Sequence, residues 1–177
     1  EIADMAWSRR HEFVRDLTSM LDAVQITLDQ DRQPVIFSEA GDNPGGGGSG
    51  RTTDLLSELI TASAQDVFYG SFFDPELAED AHRAGLGAMM TARFNRNRGT
   101  QVWEQWDEAL EVEAEVAGLS DGDVVGRHVM LQGRLMHLGT SALVRIGGIH
   151  VVVISDRSQT SDTMFFEMFG LDIADAH

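Results

Sequence analysis

Cysteine is missing from this 177-residue chain. Its absence excludes disulfides and thiolate metal sites, and a reducing cytoplasm is the default expectation for the compartment. Lysine is missing too: all 13 basic residues are arginine, set against 29 acidic ones, for a net charge of −16. A chain this acidic repels nucleic acid and anionic membrane, so neither is expected as a partner. No run of about 18 apolar residues occurs, so no transmembrane helix is expected. No signal peptide is expected, since the opening Glu1-Ile2-Ala3-Asp4 is acidic and helix-like. The first residue is not Met, so a fragment or processed piece of a longer protein is expected.

Two catalytic signatures are lacking as well. No Gly-x-Ser-x-Gly elbow marks a serine hydrolase. His11, His82, His128, His137, His150 and His177 are scattered, with no His-x-x-x-His helix pair, and make no metal site from this chain. There is no internal repeat.

What is present suits one domain with a sizeable core, at 42% hydrophobic residues. Apolar positions at three- and four-residue steps (Ile2, Met5, Phe13, Leu17, Leu21, Val24, Leu28) read as one long helix over residues 2–29, with His11 a surface residue of it. A turn over residues 31–34 follows, then a short buried strand over 35–40 that begins Val35-Ile36-Phe37. Residues 52–63 read as a helix, capped by Thr52 or Thr53, with Asp54 in the first turn. Residues 67–73 are a second strand. Asp74-Pro75-Glu76 opens a helix that stops at Gly85, because Asp is a good N-cap and Pro fits the first helical position. A third strand covers 87–94. The order β-α-β-α-β predicts a parallel unit over 34–94.

The pattern then changes. Asn95 to Thr100 is a polar turn, and Trp103 and Trp106 lie among acids and pack rather than stack on bases. Residues 108–118 alternate as a half-exposed strand. Residues 129–138 are a strand candidate. Residues 142–146 and 149–154 form a hairpin around Gly147-Gly148, with His150 on the face opposite Ile149 and Val151. A short helix over 161–169 is capped by Ser161 or Asp162 and ends at Gly170. The expected class is α/β: a parallel β-α-β-α-β unit extended by antiparallel strands into a mixed sheet, with a long N-terminal helix. The expected organisation is a single domain over 1–177: leading helix 1–30, β-α-β-α-β unit 34–94, antiparallel strands 100–155 and helix 160–170.

The chemistry centres on Gly41-Asp42-Asn43-Pro44-Gly45-Gly46-Gly47-Gly48-Ser49-Gly50-Arg51-Thr52, between the first strand and its helix. Glycines let backbone approach a ligand, and a helix start offers unpaired N–H groups. The spacing Gly45-x-x-x-x-Gly50-Arg51-Thr52 matches a phosphate loop with Arg in place of Lys. Arg has the wrong shape for that role, and the Asp-Asn-Pro prefix also counts against nucleotide hydrolysis. A bare linker is disfavoured because both flanks look ordered. A loop facing a ligand or a domain interface remains. Asp42-Asn43, Asp74 and Ser155-Asp156-Arg157 follow strand ends and converge if those strands are parallel neighbours, since ligand crevices of open α/β sheets lie there. N-capping alone also accounts for Asp74, and Asp156 and Arg157 can pair with each other.

Several of these motifs, taken in order, resemble the C-terminal domain of microcystinase C (MlrC)-like proteins. They are Asp42-Asn43-Pro44-Gly45-Gly46-Gly47, Asp54-Leu55-Leu56, Phe73-Asp74-Pro75-Glu76, Ala84-Gly85-Leu86-Gly87, Val144-Arg145-Ile146-Gly147-Gly148 and the stretch 155–159. Arg10-His11-Glu12-Phe13 in the opening helix is similar too. The resemblance implies a two-domain zinc metallopeptidase whose zinc ligands lie on an N-terminal domain. It implies a peptide or amide-type substrate, and a C-terminal domain that closes one side of the cleft and is inactive alone. The family's C-terminal domain typically continues into a further valine-rich strand, which this chain stops short of.

On this reading Asp42, Asn43, Gly45, Gly46, Gly47, Gly48, Asp74, Asp156 and Arg157 bind substrate, and no catalytic or metal residue is assigned here. Two other classes stay open. One is a non-catalytic anion-binding module. The other is a structural module whose loop contacts a domain or a second copy in a homo-oligomer.

Overall fold

The structure, a computed structural model, describes residues 1–14, 16–29, 31, 34–97 and 108–176. The expectations for Trp103 and Trp106, for the end of the Asn95–Thr100 turn, for Arg32-Gln33 and for His177 lie outside those residues.

Five strands form one mixed sheet: β1 (Val67–Phe73), β2 (Met89–Phe94), β3 (Leu110–Ser120), β6 (Ser141–Ile146) and β7 (Ile149–Ile154), in the order β1-β7-β6-β3-β2. A two-stranded sheet joins β4 (Asp123–Val125) to β5 (Leu135–His137). The helices are α1 (Ile2–Ser8), α2 (Met20–Leu28), α3 (Asp54–Thr61), α4 (Pro75–Ala84) and α5 (Met164–Glu167). Among the described residues no helix is long and apolar enough to cross a membrane.

The mixed α/β sheet matches the expected class, but its wiring differs. The parallel pair is β1 with β7, while β2 pairs antiparallel with β3 and lies at the opposite edge from β1. The expected parallel β-α-β-α-β unit is therefore not formed. Residues 35–39 join no ladder, and Ile36 is 90% exposed. An apolar triplet reads alike as a buried strand or as extended chain, and only pairing distinguishes them. The long N-terminal helix is also corrected. It breaks into α1, a 3₁₀ turn (Arg10–Phe13) and α2, which starts afresh where Ser19 Oγ accepts the N–H of Asp22 at 3.1 Å. A local cap outcompetes a continuous periodic pattern when the apolar stripe has little to pack on. The 129–138 candidate resolves into a 3₁₀ turn (Val129–Leu131) and the short β5.

β7 owes its central place to its composition. Val151 and Val153 join one core with Leu56, Leu59, Phe72, Leu77 and Phe94, while Val152 and Ile154 join a second core with Leu138, Leu143 and Phe165. A strand covered on both faces must be apolar throughout. The hairpin to β6 turns at Gly147, where φ is +57°. His150 falls opposite Ile149 and Val151, with its ring edge-on to Phe68 at 5.6 Å. The sheet curls, because Phe94 of edge β2 meets Phe72 of edge β1 with ring centroids 4.9 Å apart.

Candidate functional site

The glycine loop sits at the carboxyl end of the parallel pair. Phe73, the last residue of β1, donates its N–H to Gly50 O at 2.8 Å, and Asp74 donates its N–H to Ile154 O at 3.1 Å. Arg157 Nη1 reaches Gly48 O at 3.2 Å. Gln159 lies against one side of Gly45, where a Cβ would stand 1.9 Å from Gln159 Oε1. The segment after β7 holds the outer edge of β1, with Thr160 Oγ1 accepting the Ser71 N–H at 2.7 Å. Of the strand-end groups singled out from sequence, Arg157 reaches the loop through Gly48 O and Asp74 joins the end of β7 through its backbone, whereas the Asp156 N–H goes to Leu138 O.

Within the loop, Asp42 is the hub. Its Oδ1 accepts from the N–H of Gly50 (2.7 Å) and from Ser49 Oγ (3.2 Å). Its Oδ2 accepts from the N–H groups of Arg51 (2.7 Å) and Thr52 (2.8 Å) and from Thr52 Oγ1 (2.9 Å). Burial pushes the Asp42 carboxyl up, but the N–H of Thr52, that of Gly50, the Thr52 hydroxyl and the N–H of Arg51 together bring it below its ordinary value. The phosphate-loop spacing now has a physical account. Consecutive amides do cradle an anion, and the anion is the chain's own carboxylate.

Asn43 organises the other half. Its Oδ1 accepts from the N–H of Gly45 (2.9 Å) and Gly46 (3.3 Å), capping a 3₁₀ turn (Pro44–Gly46). The N–H of Gly48 returns to Asn43 O at 2.8 Å. This folding leaves Gly45, Gly46 and Gly47 exposed at the tip, with Asn43 and Gly48 half-buried behind them. Gly48 must be glycine: a Cβ would lie 2.6 Å from Asn43 N and 2.9 Å from Asp42 C, both backbone.

Asp74 is buried and turned away from the surface. Its Oδ1 caps α4 through the Leu77 N–H at 3.1 Å, and Pro75 takes the first helical position, the arrangement read from the sequence. Its Oδ2 accepts the N–H of Asn95 at 2.8 Å. Asp156 and Arg157 are exposed, and the Asp156 N–H donates to Leu138 O at 2.8 Å.

Asn95 is the site residue that the sequence reading passed over. It is fully buried with φ of +54°. Its Nδ2 donates to Arg51 O (2.7 Å) and Glu108 O (3.0 Å), and its Oδ1 accepts from Arg51 Nε (3.0 Å). Glu108 O also accepts from Thr53 Oγ1 at 2.9 Å. Asn was legible as a turn former that tolerates positive φ, but its partners come from distant segments.

The surroundings of the loop are acidic. Burial, then the negative charges of Glu39, Asp42 and Asp54, push the Tyr69 phenol far above its ordinary range. Elsewhere, burial and then the Arg145 charge hold His150 below its usual value, and its Nδ1 has no hydrogen-bond partner among the described residues. His82 Nε2 lies 2.9 Å from Ser141 O. Among the described residues no three His, Asp or Glu side chains gather where they could hold a metal ion. What the loop and its neighbours offer is shape, hydrogen bonds and the exposed Arg157 charge.

Comparison with known proteins agrees with this reading of the motifs. The family model described as MlrC C-terminus matches residues 37–177. Microcystinase C from Sphingomonas sp is 28% identical over 141 residues, which cover 80% of this chain and 26% of that protein. A crystal structure of a candidate metallopeptidase from Mesorhizobium sp. BNC1 superposes with a TM-score of 0.81 at 22% identity, over 98% of this chain and 34% of that one. This chain thus spans about a quarter of the length of the one relative and a third of the other. The order of motifs around the Asp42 loop, the shared fold and the match over residues 37–177 agree, and the chain belongs to the MlrC C-terminus family.

Proposed function

We propose that this chain is the C-terminal, cleft-closing domain of an MlrC-like zinc metallohydrolase, working on a peptide or amide-type substrate in the cytoplasm. The observation that carries the reading is the loop's construction. Asp42 and Asn43 turn its amides inward and present Gly45, Gly46 and Gly47 at the carboxyl end of the parallel pair β1–β7. Crevices of open α/β sheets lie at that end.

In this proposal the substrate meets Asn43, the tip glycines, Gly48, Asp156 and Arg157, while Asp42 and Asp74 hold those groups in place. A rigid wall of this kind contributes to catalysis by orientation, which is worth several kcal/mol when the reacting groups are held correctly. The residues described here do not fit a zinc site, having no ligand cluster. In this proposal the zinc ligands lie on the N-terminal domain of the parent protein, as the family resemblance implies, and no chemical step is assigned to this chain. The Mesorhizobium structure, described as that of a candidate metallopeptidase, supports a peptidase as the parent. The anion-binding alternative loses support, because the amides of Gly50, Arg51 and Thr52 already serve Asp42.

The test is made in the full-length protein. Asn43→Ala lowers peptidase turnover while bound zinc, measured by elemental analysis, stays unchanged. Unaltered turnover with the variant would sink the proposal.

A further inference from the structure

We propose that residues 2–28 form an arm that docks on the portion of the longer polypeptide N-terminal to this domain, holding the two together across an apolar surface. The inference rests on the reading above that the chain is the C-terminal part of a larger protein, and it deepens that reading by naming where the partner binds.

The observation is an unpartnered apolar surface concentrated at one end of the chain. Ile2, Trp7, Phe13, Val14, Leu17 and Leu21 are between 67% and 80% exposed. Neither α1 nor the 3₁₀ turn after it buries any residue. Large apolar side chains gathered this densely on a surface mark an interaction site. The arm is nevertheless anchored, because Ala23 and Val24 of α2 are buried and Val24 joins the core that holds Leu56 and Leu59 of α3. It is therefore held at its C-terminal end, with its N-terminal end presented outward.

Two coverage facts select the occupant. The C-terminal family match begins at residue 37, so the arm lies wholly before it. The shared fold with the Mesorhizobium structure nevertheless extends over 98% of this chain, arm included, and takes up 34% of that chain. The arm thus belongs to the larger architecture while preceding the C-terminal unit. Two-thirds of the neighbour's chain remains to cover it. The apolar residues run through α1, the 3₁₀ turn and the start of α2, and they have little in this domain to pack on, so another body is needed to cover them.

Hydroxyl-radical footprinting of the full-length protein tests this, with each residue's rate referred to its rate in the denatured protein. Leu17 and Leu86 are both 71% exposed in this domain and serve as a matched pair. Docking predicts that Leu17, Trp7 and Phe13 are protected several-fold, at a level independent of protein concentration. It also predicts that Trp7→Ser combined with Phe13→Ser returns Leu17 toward its denatured rate. Leu17 as reactive as in the denatured protein overturns the proposal. So does protection that grows with concentration together with a dimer mass by light scattering, which would assign the arm to a second copy. The footprint is read without turnover: a docked arm in a protein with no peptidase activity would sink the functional reading alone, and an exposed arm in an active peptidase would sink only the docking.

Discussion

Asp74 Oδ2 accepts the backbone N–H of Asn95 at 2.8 Å, joining the ends of the two strands that form opposite edges of the sheet. The other oxygen of the same carboxylate caps α4. Asn95 in turn binds Arg51 and Glu108, so one buried pair connects the glycine loop, the first strand, a helix start and the approach to β3. Both residues are nearly or fully buried, at 2% and 0% exposed, so the two bonds that Asp74 accepts are made away from water, while those of Asn95 to Arg51 and Glu108 are part-buried.

Asn95→Ala removes three side-chain hydrogen bonds and takes one donor from each of two carbonyls, of which Glu108 O keeps Thr53 Oγ1. It also keeps φ at +54°, which alanine tolerates poorly. The expected cost is about 2–4 kcal/mol in urea unfolding. Asn95→Gly relieves the backbone but restores no bond, so it recovers only part of the loss. Equal stabilities for wild type and Asn95→Ala would contradict the assignment of this residue as a hub.

Asp42→Asn replaces an acceptor oxygen with an amide that faces N–H donors. About 1–3 kcal/mol of stability is lost at neutral pH. The folded Asp42 carboxyl lies below its ordinary value, so its contribution is present above the unfolded value of about 3.9 and disappears as pH falls through the folded one. The gap between wild type and variant, measured as urea midpoints, therefore narrows as pH drops below about 4. A gap independent of pH would show that the ionised form is not what the loop amides bind.

Glycines in the same loop differ in what they tolerate. Gly48→Ala drives a methyl against the backbone of Asn43 and Asp42, which cannot give way. Gly46→Ala meets Asn43 at 3.7 Å, an ordinary contact. Thermal melts should show Gly48→Ala losing more than about 1 kcal/mol and Gly46→Ala close to wild type. The reverse order would mean the loop is built differently.

Asn43 has two separable jobs, and two variants divide them. Asn43→Asp keeps the acceptor that caps the 3₁₀ turn and removes the amide donor, whereas Asn43→Ala removes both. If the side-chain amide contacts substrate, both variants lose turnover in the full-length protein, and Asn43→Asp does so with its melting temperature retained. Normal turnover in Asn43→Asp confines Asn43 to holding the turn.

Much of this protein was determined locally. The α4 cap by Asp74 and Pro75, β1, the Gly147 hairpin and the doubly buried β7 follow from turn chemistry and from the number of faces a strand must cover, and they are legible along the chain. The motif order carried the family. Tertiary structure decided the rest, because it depends on which distant groups meet. Whether residues 35–39 pair, whether β2 runs parallel or antiparallel to its neighbour, and whether residues 2–29 stay one helix are settled by partners, and periodicity cannot name a partner. The same holds for the loop. Its composition announced amides arranged around an anion, but only folding assigned the anion to Asp42, through bonds to residues seven to ten positions away in the chain. The inward turn of those amides leaves Gly45, Gly46 and Gly47 as the exposed tip.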